Sequence, residues 1–351
     1  MKTMSAAQKT YTAAVAGLGK RGMHHAEAVA KNSRFRLVGL CDIDRARLDG
    51  AKQKFGVEAV STDAGEMLSL TKPDVFIFCT LPQIRLPLIK AGVDAGVKLI
   101  AYEKPIAMSM NEALEMYKLL READVKTVVS HQHRYGEHYQ KVKEIIASGA
   151  IGRVHTVYGH AIGWMMHMMT HLIEYAGWYN DYADPVWVVG QAAGKEKFAD
   201  VHASPDYIAA LVQYSNGVRG IIECGADAPD VPQVDSMWHK CRIGAQGTEG
   251  FAEVLTGKKD KGGGWRAVTK DGVASGPGYM DYEHDMPPYI QDIANWLDDP
   301  KKVHPCNGET AFKGFQVMMA AMRSVVERGK VTLPLGPGEP ELEALKRVLP
   351  D

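Results

Sequence analysis

Cysteine is scarce in this chain: five residues (Cys41, Cys79, Cys224, Cys241, Cys306) among 351, widely spaced and with no C-x-x-C pair. An odd, scattered set excludes a disulfide scaffold and suits a reducing compartment, where thiols mostly fill cores. An excess of charge of one sign is also missing. Lys+Arg 41 against Asp+Glu 42 leaves a formal net charge of −1, so nothing electrostatic points to a nucleic acid or an anionic membrane. No apolar run approaches the ~20 residues that cross a bilayer. Residues 1–10 lack the charged-then-apolar order of a signal peptide, and a cytoplasmic location is expected. Internal repeats and low-complexity stretches are lacking as well. What is present is ordinary globular material, 46% hydrophobic and 24% charged, long enough for two domains.

Residues 11–130 alternate short Val/Ile-rich runs with helical periodicity. Strands are predicted at 11–16, 35–41, 75–79, 98–102 and 127–130, and helices at 23–31, 46–55, 86–95 and 110–123. That rhythm implies an α/β fold, a doubly wound parallel sheet covered on both faces. From about residue 152 strands follow one another at 153–161, 186–193, 207–214, 218–224 and 240–245, with turn signals such as Ser215-Asn216-Gly217 between them. Here a mostly antiparallel open sheet in an α+β domain is expected. The Gly- and Lys-rich segment 257–278 reads as an exposed loop around a short strand, 287–296 and 309–328 as helices, and 334–340 as a Pro/Gly-rich tail. The expected division is 1–130 and 131–351.

Gly17-Leu18-Gly19-Lys20-Arg21-Gly22 follows the first strand and opens a helix, and Asp42 comes twenty residues after its last glycine. That context fits a dinucleotide fingerprint. Gly17 permits the tight turn, Gly19 lets a pyrophosphate approach the backbone, and Gly22 lets helix and strand pack closely. Lys20 and Arg21 flank the phosphate position. Asp42 is placed to accept from the adenosine ribose hydroxyls, and its carboxylate disfavours a 2′-phosphate, so NAD is expected over NADP. Arg45 offers a competing phosphate site, and an ordinary turn with Asp42 as its cap is the plainer alternative.

Glu103-Lys104-Pro105 closes the strand at 98–102; by chemistry alone it could equally be a solvated charge pair. Together with the glycine motif, Thr80-Leu81-Pro82 and the run Ala95-Gly96-Val97-Lys98-Leu99-Ile100, it resembles the Gfo/Idh/MocA oxidoreductases, the glucose–fructose oxidoreductase and inositol dehydrogenase family. Gly247-Thr248-Glu249-Gly250-Phe251 and the helix from Glu309 resemble that family's second domain and closing helix. The resemblance implies NAD as cofactor and Lys104 as the catalytic lysine on the hydroxyl being oxidised. It places Glu103 near the nicotinamide, and Thr80, Leu81, Pro82 and Arg134 along the cofactor, with Tyr135 bordering the substrate.

Relatives carry Asp, His four residues later, then Asp three later along one helix. Here His171 fits the histidine and becomes the candidate general base, Glu174 replaces the second Asp, and His167 stands in place of the first. Trp164, His167 and His171 are candidate substrate contacts. A spacing of four puts both histidines on one helical face, which is also metal-ligand spacing, with His160, His131 or His133 as possible third ligands. The helix lacks the Glu of zinc protease motifs, and hydride chemistry needs no metal, so none is expected. Met165, Met166, Met168 and Met169 read as packing. Trp164, Tyr175, Trp178 and Tyr179 could stack on a sugar face, although core or interface packing is the commoner role.

The expected activity is oxidation of a secondary hydroxyl on a sugar, cyclitol or glycoside. Two alternatives stand beside it: a glycosidase that oxidises C3 transiently with NAD, eliminates and re-reduces, and a non-catalytic NAD-binding sensor. Related enzymes pair through the second sheet, which implies a homodimer or homotetramer.

Overall fold

The computed structural model describes residues 9–232, 234, 237–257 and 262–350. Its chain forms two compact units: one holds the chain up to Glu103, Glu115–Ser130 and Tyr282–Gly308, the other Lys104–Leu114, His131–Asp281 and the chain from Glu309.

The first unit is built on β1 (Tyr11–Ala16), β2 (Phe35–Cys41), β3 (Val60–Ser61), β4 (Val75–Phe78), β5 (Leu99–Tyr102) and β6 (Lys126–Val129). They pair in the order β3-β2-β1-β4-β5-β6, every neighbour parallel. This is the expected doubly wound sheet, and every residue of β4 and β5 is buried. Its helices are α1 (Lys20–Lys31), α2 (Arg45–Phe55), α3 (Ala64–Thr71) and α4 (Arg85–Asp94), followed in the chain by α5 (Met110–Glu122). The short β3–α3 pair escaped the pattern because two residues are too few for alternation to register.

The second unit carries α6 (Glu137–Ala147), β7 (Val154–Ala161), α7 (Met165–Tyr179), β8 (Pro185–Ala193), β9 (Tyr207–Tyr214), β10 (Arg219–Gly225), β11 (Cys241–Gly247), β12 (Gly250–Leu255), β13 (Gly264–Thr269) and β14 (Gly272–Gly276). After α8 (Tyr282–Asp298), which packs with the first unit, come α9 (Gly308–Glu327), β15 (Val331–Thr332) and α10 (Glu341–Val348). The sheet runs β14-β13-β12-β11-β7-β10-β9-β8-β15, antiparallel except for the parallel pair β7–β10.

Three sequence expectations are corrected. Segment 257–278 contains a hairpin, β13 and β14, whose glycines masked its alternation; residues 258–261 lie outside the described residues. The helix expected from 287 begins at Tyr282, with Pro287 and Pro288 inside it, because acidic Glu283 and Asp285 favour the first turn. Beyond the Pro/Gly tail stands α10, anchored by Glu341, which accepts from the Met110 N–H and from Arg323. Helix α8 is tied to the first unit by Asp298, which accepts from Tyr11 at 2.9 Å and Arg34 at 2.7 Å.

Helix α7 lies on β7, β10 and β11, and Gly159 of β7 sets how closely. A Cβ there would stand 2.8 Å from Leu172 Cβ, the residue after His171. Gly159→Val should therefore force α7 outward and destabilise the fold by about 1–3 kcal/mol, measured by urea unfolding; unchanged stability would show that the helix is not held by this contact.

Candidate active site

The dinucleotide platform lies in the first unit. Gly17 adopts φ +79°, and a Cβ there would meet the Cys79 carbonyl oxygen at 2.5 Å; a Cβ at Gly22 would fall 1.7 Å from the Gly17 carbonyl oxygen. Both turn and close packing thus demand glycine. A Cβ at Gly19 would meet nothing within 4 Å, so the surface there is open. Helix α1 starts at Lys20, three residues before the expected start, with no side chain capping it and no acid in its first turn. Its N–H groups and dipole therefore suit an anion.

Asp42 fastens this loop. Its Oδ2 accepts from the Leu18 N–H inside the glycine motif, and its Oδ1 accepts from the Asp44 N–H at 2.8 Å. The residue is buried, yet each oxygen has a further lone pair for a ribose hydroxyl. The residues present fit NAD.

At the end of β5 stands Glu103. Arg21, from the glycine motif, reaches its Oε1 at 3.4 Å while its guanidinium lies 4.0 Å over the Tyr282 ring. His25, one helical turn on, places Nε2 at 3.5 Å from the same oxygen. Burial lowers the His25 pKa, with Glu103 opposing. Arg21 is therefore partly committed to Glu103. Thr80, Leu81 and Pro82 lead from β4 into a short 3-10 turn, where the Thr80 carbonyl accepts from buried Arg85 at 2.9 Å.

In the second unit, α7 has fifteen residues, and every one except His167 and His171 is buried. Burial of the other thirteen, polar only at Thr170 and Glu174, leaves those two, a turn apart, as its partly exposed positions. Lys104 donates from Nζ to the His167 carbonyl at 2.8 Å, so all three candidate catalytic residues meet at one turn of α7. Rings of His131 and His133 stand 5.4 and 5.6 Å from His171, and Tyr175 shares a 3.3 Å hydrogen bond with His171 Nδ1. Burial first, then the Lys104 ammonium and the neighbouring histidines, push the His171 pKa well below the ordinary histidine range. The ring is thereby held in its neutral form.

Trp164, just before α7, is partly exposed, with Lys197 5.2 Å over its ring. His202 stands edge-on to His167 at 4.9 Å. The other stacking candidates, Tyr175, Trp178 and Tyr179, are buried, as are the four methionines. His160 is drawn to Glu223 at 2.8 Å, on the sheet. Arg134, expected along the cofactor, is buried. It lies 4.4 Å over Trp178 and donates to Tyr182 at 2.6 Å, and Tyr182 donates in turn to Glu174 at 2.6 Å. Burial raises the Glu174 pKa, opposed by Tyr182 and Arg134. Tyr182 was not foreseen, since no spacing rule links it to Arg134 and Glu174. Tyr135 is partly exposed.

Residues 11–131 match the model of the GFO_IDH_MocA family, described as an oxidoreductase family with an NAD-binding Rossmann fold. Over 339 residues the chain is 22% identical to myo-inositol 2-dehydrogenase of Thermotoga maritima, spanning 91% of this chain and 97% of the relative. It is 31% identical over 144 residues to D-apiose dehydrogenase of Paraburkholderia graminis, covering 41% of this chain and 38% of that one. A solved scyllo-inositol dehydrogenase from Lactobacillus casei, with bound NAD(H) and scyllo-inositol, shares the fold at a TM-score of 0.72 and 18% identity, over 92% of this chain and 99% of that one. Residues 11–131 therefore carry a domain that matches the NAD-binding Rossmann domain of the Gfo/Idh/MocA oxidoreductases.

Proposed function

We propose that this chain is an NAD-dependent dehydrogenase that oxidises a secondary hydroxyl of a sugar, cyclitol or glycoside. The observation that carries the reading is the meeting of Lys104 with the two outward histidines of α7. Bound NAD supplies the hydride acceptor; the protein must manage the proton and the charge on oxygen. In the tautomer that donates Nδ1–H to Tyr175, His171 keeps the Nε2 lone pair to take the hydroxyl proton. The Lys104 ammonium stabilises the alkoxide character that develops as hydride leaves carbon. His167 and Trp164 bind the remaining hydroxyls and ring, and Tyr135 borders them. Gly17, Gly19, Gly22, Lys20 and Arg21 hold the pyrophosphate, Asp42 the ribose, and Thr80, Leu81, Pro82 and Glu103 the rest of the cofactor. Relatives named as myo-inositol and apiose dehydrogenases support a polyol substrate.

A screen of sugars, cyclitols and glycosides tests this, with NADH and released aglycone both recorded. Net NADH is expected. Aglycone without NADH would instead mark a transient-oxidation glycosidase, and NAD binding with no turnover a sensor. Lys104→Ala should cut turnover about 100-fold or more with NAD binding kept. His171→Ala should lose about a hundred- to ten-thousand-fold. His167→Ala should chiefly raise KM, and His167→Asp should regain part of the binding. Wild-type turnover in both Lys104→Ala and His171→Ala would overturn the assignment.

Asp42 sets cofactor choice: NAD should bind at least several-fold more tightly than NADP, and Asp42→Ala should narrow that ratio. Calorimetric titration showing equal affinities for the unaltered protein would contradict this.

For assembly, we propose a homodimer or homotetramer joined through the second sheet. Val189, Leu211 and Ile221 are direct cross-strand neighbours there and remain 40%, 41% and 38% exposed. A monomer near 38.4 kDa by light scattering at micromolar concentration would refute it.

A further inference from the structure

We propose that the first unit carries a binding site for a soft divalent cation such as Zn2+, formed by His25, Cys79 and Glu103, and that its occupation disables the dinucleotide platform. The three side chains come from α1, the end of β4 and the end of β5. One nitrogen, one sulfur and one oxygen lie within 4.8 Å of one another. An ion at their centre is then within ~2.8 Å of all three, and small rotamer changes bring Zn–N and Zn–S to their usual ~2.0–2.3 Å.

Two further observations favour a ligand here. His25 is fully buried; its Nε2 lies 3.5 Å from Glu103 Oε1 and 3.4 Å from Ser130 Oγ, and its Nδ1 has no hydrogen-bond partner among the described residues. The Cys79 thiol has no hydrogen-bond partner among the described residues. The donor set is also balanced in charge. A dication with one thiolate, one carboxylate and a neutral imidazole sums to zero, which a low-dielectric site tolerates.

The competing force is Arg21. Its guanidinium holds Glu103 Oε1 at 3.4 Å and must release it. Its side chain is 27% exposed and rests on Tyr282, so it can turn toward water. Binding replaces the Cys79 S–H bond by an S–metal bond and releases one proton to solvent, so affinity should rise about tenfold per pH unit. An occupied site takes Glu103 from Arg21, both of them cofactor contacts in the proposed function, and Glu103 is the residue immediately before Lys104.

The test uses the NAD-free full chain titrated with Co2+, which reports thiolate ligation by a charge-transfer band in the near ultraviolet, and with Zn2+ in competition. One equivalent of Co2+ should produce the band, Zn2+ should bleach it, and Zn2+ should weaken NAD binding reversibly on chelation. Cys79→Ser should abolish the band while keeping the thermal melting curve of the metal-free protein. His25→Gln should weaken Co2+ at least tenfold, and Arg21→Ala should tighten it severalfold. A wild-type protein without the band up to millimolar Co2+, or a band that survives Cys79→Ser, would overturn the proposal.

Discussion

Close packing of α7 against the second sheet is the constraint on which the candidate catalytic group depends. A helix buried on nearly every side cannot place polar groups freely, because each costs free energy unless it is paired. Here the packing is met by Met165, Met166, Met168, Met169, Leu172 and Ile173, and the approach is made possible by Gly159 of β7. What remains outward is His167 and His171 alone. Lys104 then fastens to that same turn through the His167 carbonyl. The geometry of three polar side chains is thereby fixed by apolar packing.

Electrostatics follows from this placement. A lysine beside a half-buried imidazole favours the neutral ring, as do the histidines around it. The Arg134–Tyr182–Glu174 chain works differently: its two hydrogen bonds, each 2.6 Å, give a buried carboxylic group a partner and tie the segment after β6 to α7 and the turn beyond it. In the first unit Asp42 has a comparable role. It binds two backbone N–H groups, and so holds the glycine loop in shape while retaining lone pairs for a ligand.

Local features were legible in the sequence. The parallel sheet, the glycine motif with Asp42, and the i, i+4 histidines depend on residues near one another in the chain, where periodicity and spacing carry the information. Lys104 was ambiguous by chemistry and became interpretable through the family resemblance. What stayed hidden depends on distant partners. Nothing before Tyr282 signals that 282–308 returns to the first unit, because that depends on Asp298 meeting Tyr11 and Arg34. The Arg134–Tyr182 hydrogen bond joins residues 48 apart, a separation that no local pattern reports. The β13–β14 hairpin was obscured by its own glycines.

The central claim is that α7 and Lys104 together hold His171 as a neutral base. Histidine-selective NMR titration of the NAD-free protein, with His171 assigned through His171→Gln, measures this directly. The account predicts that His171 titrates well below the ordinary histidine value of about 6.5, and that Lys104→Ala moves it upward. A His171 titrating near or above that value, or one indifferent to the loss of Lys104, would contradict it.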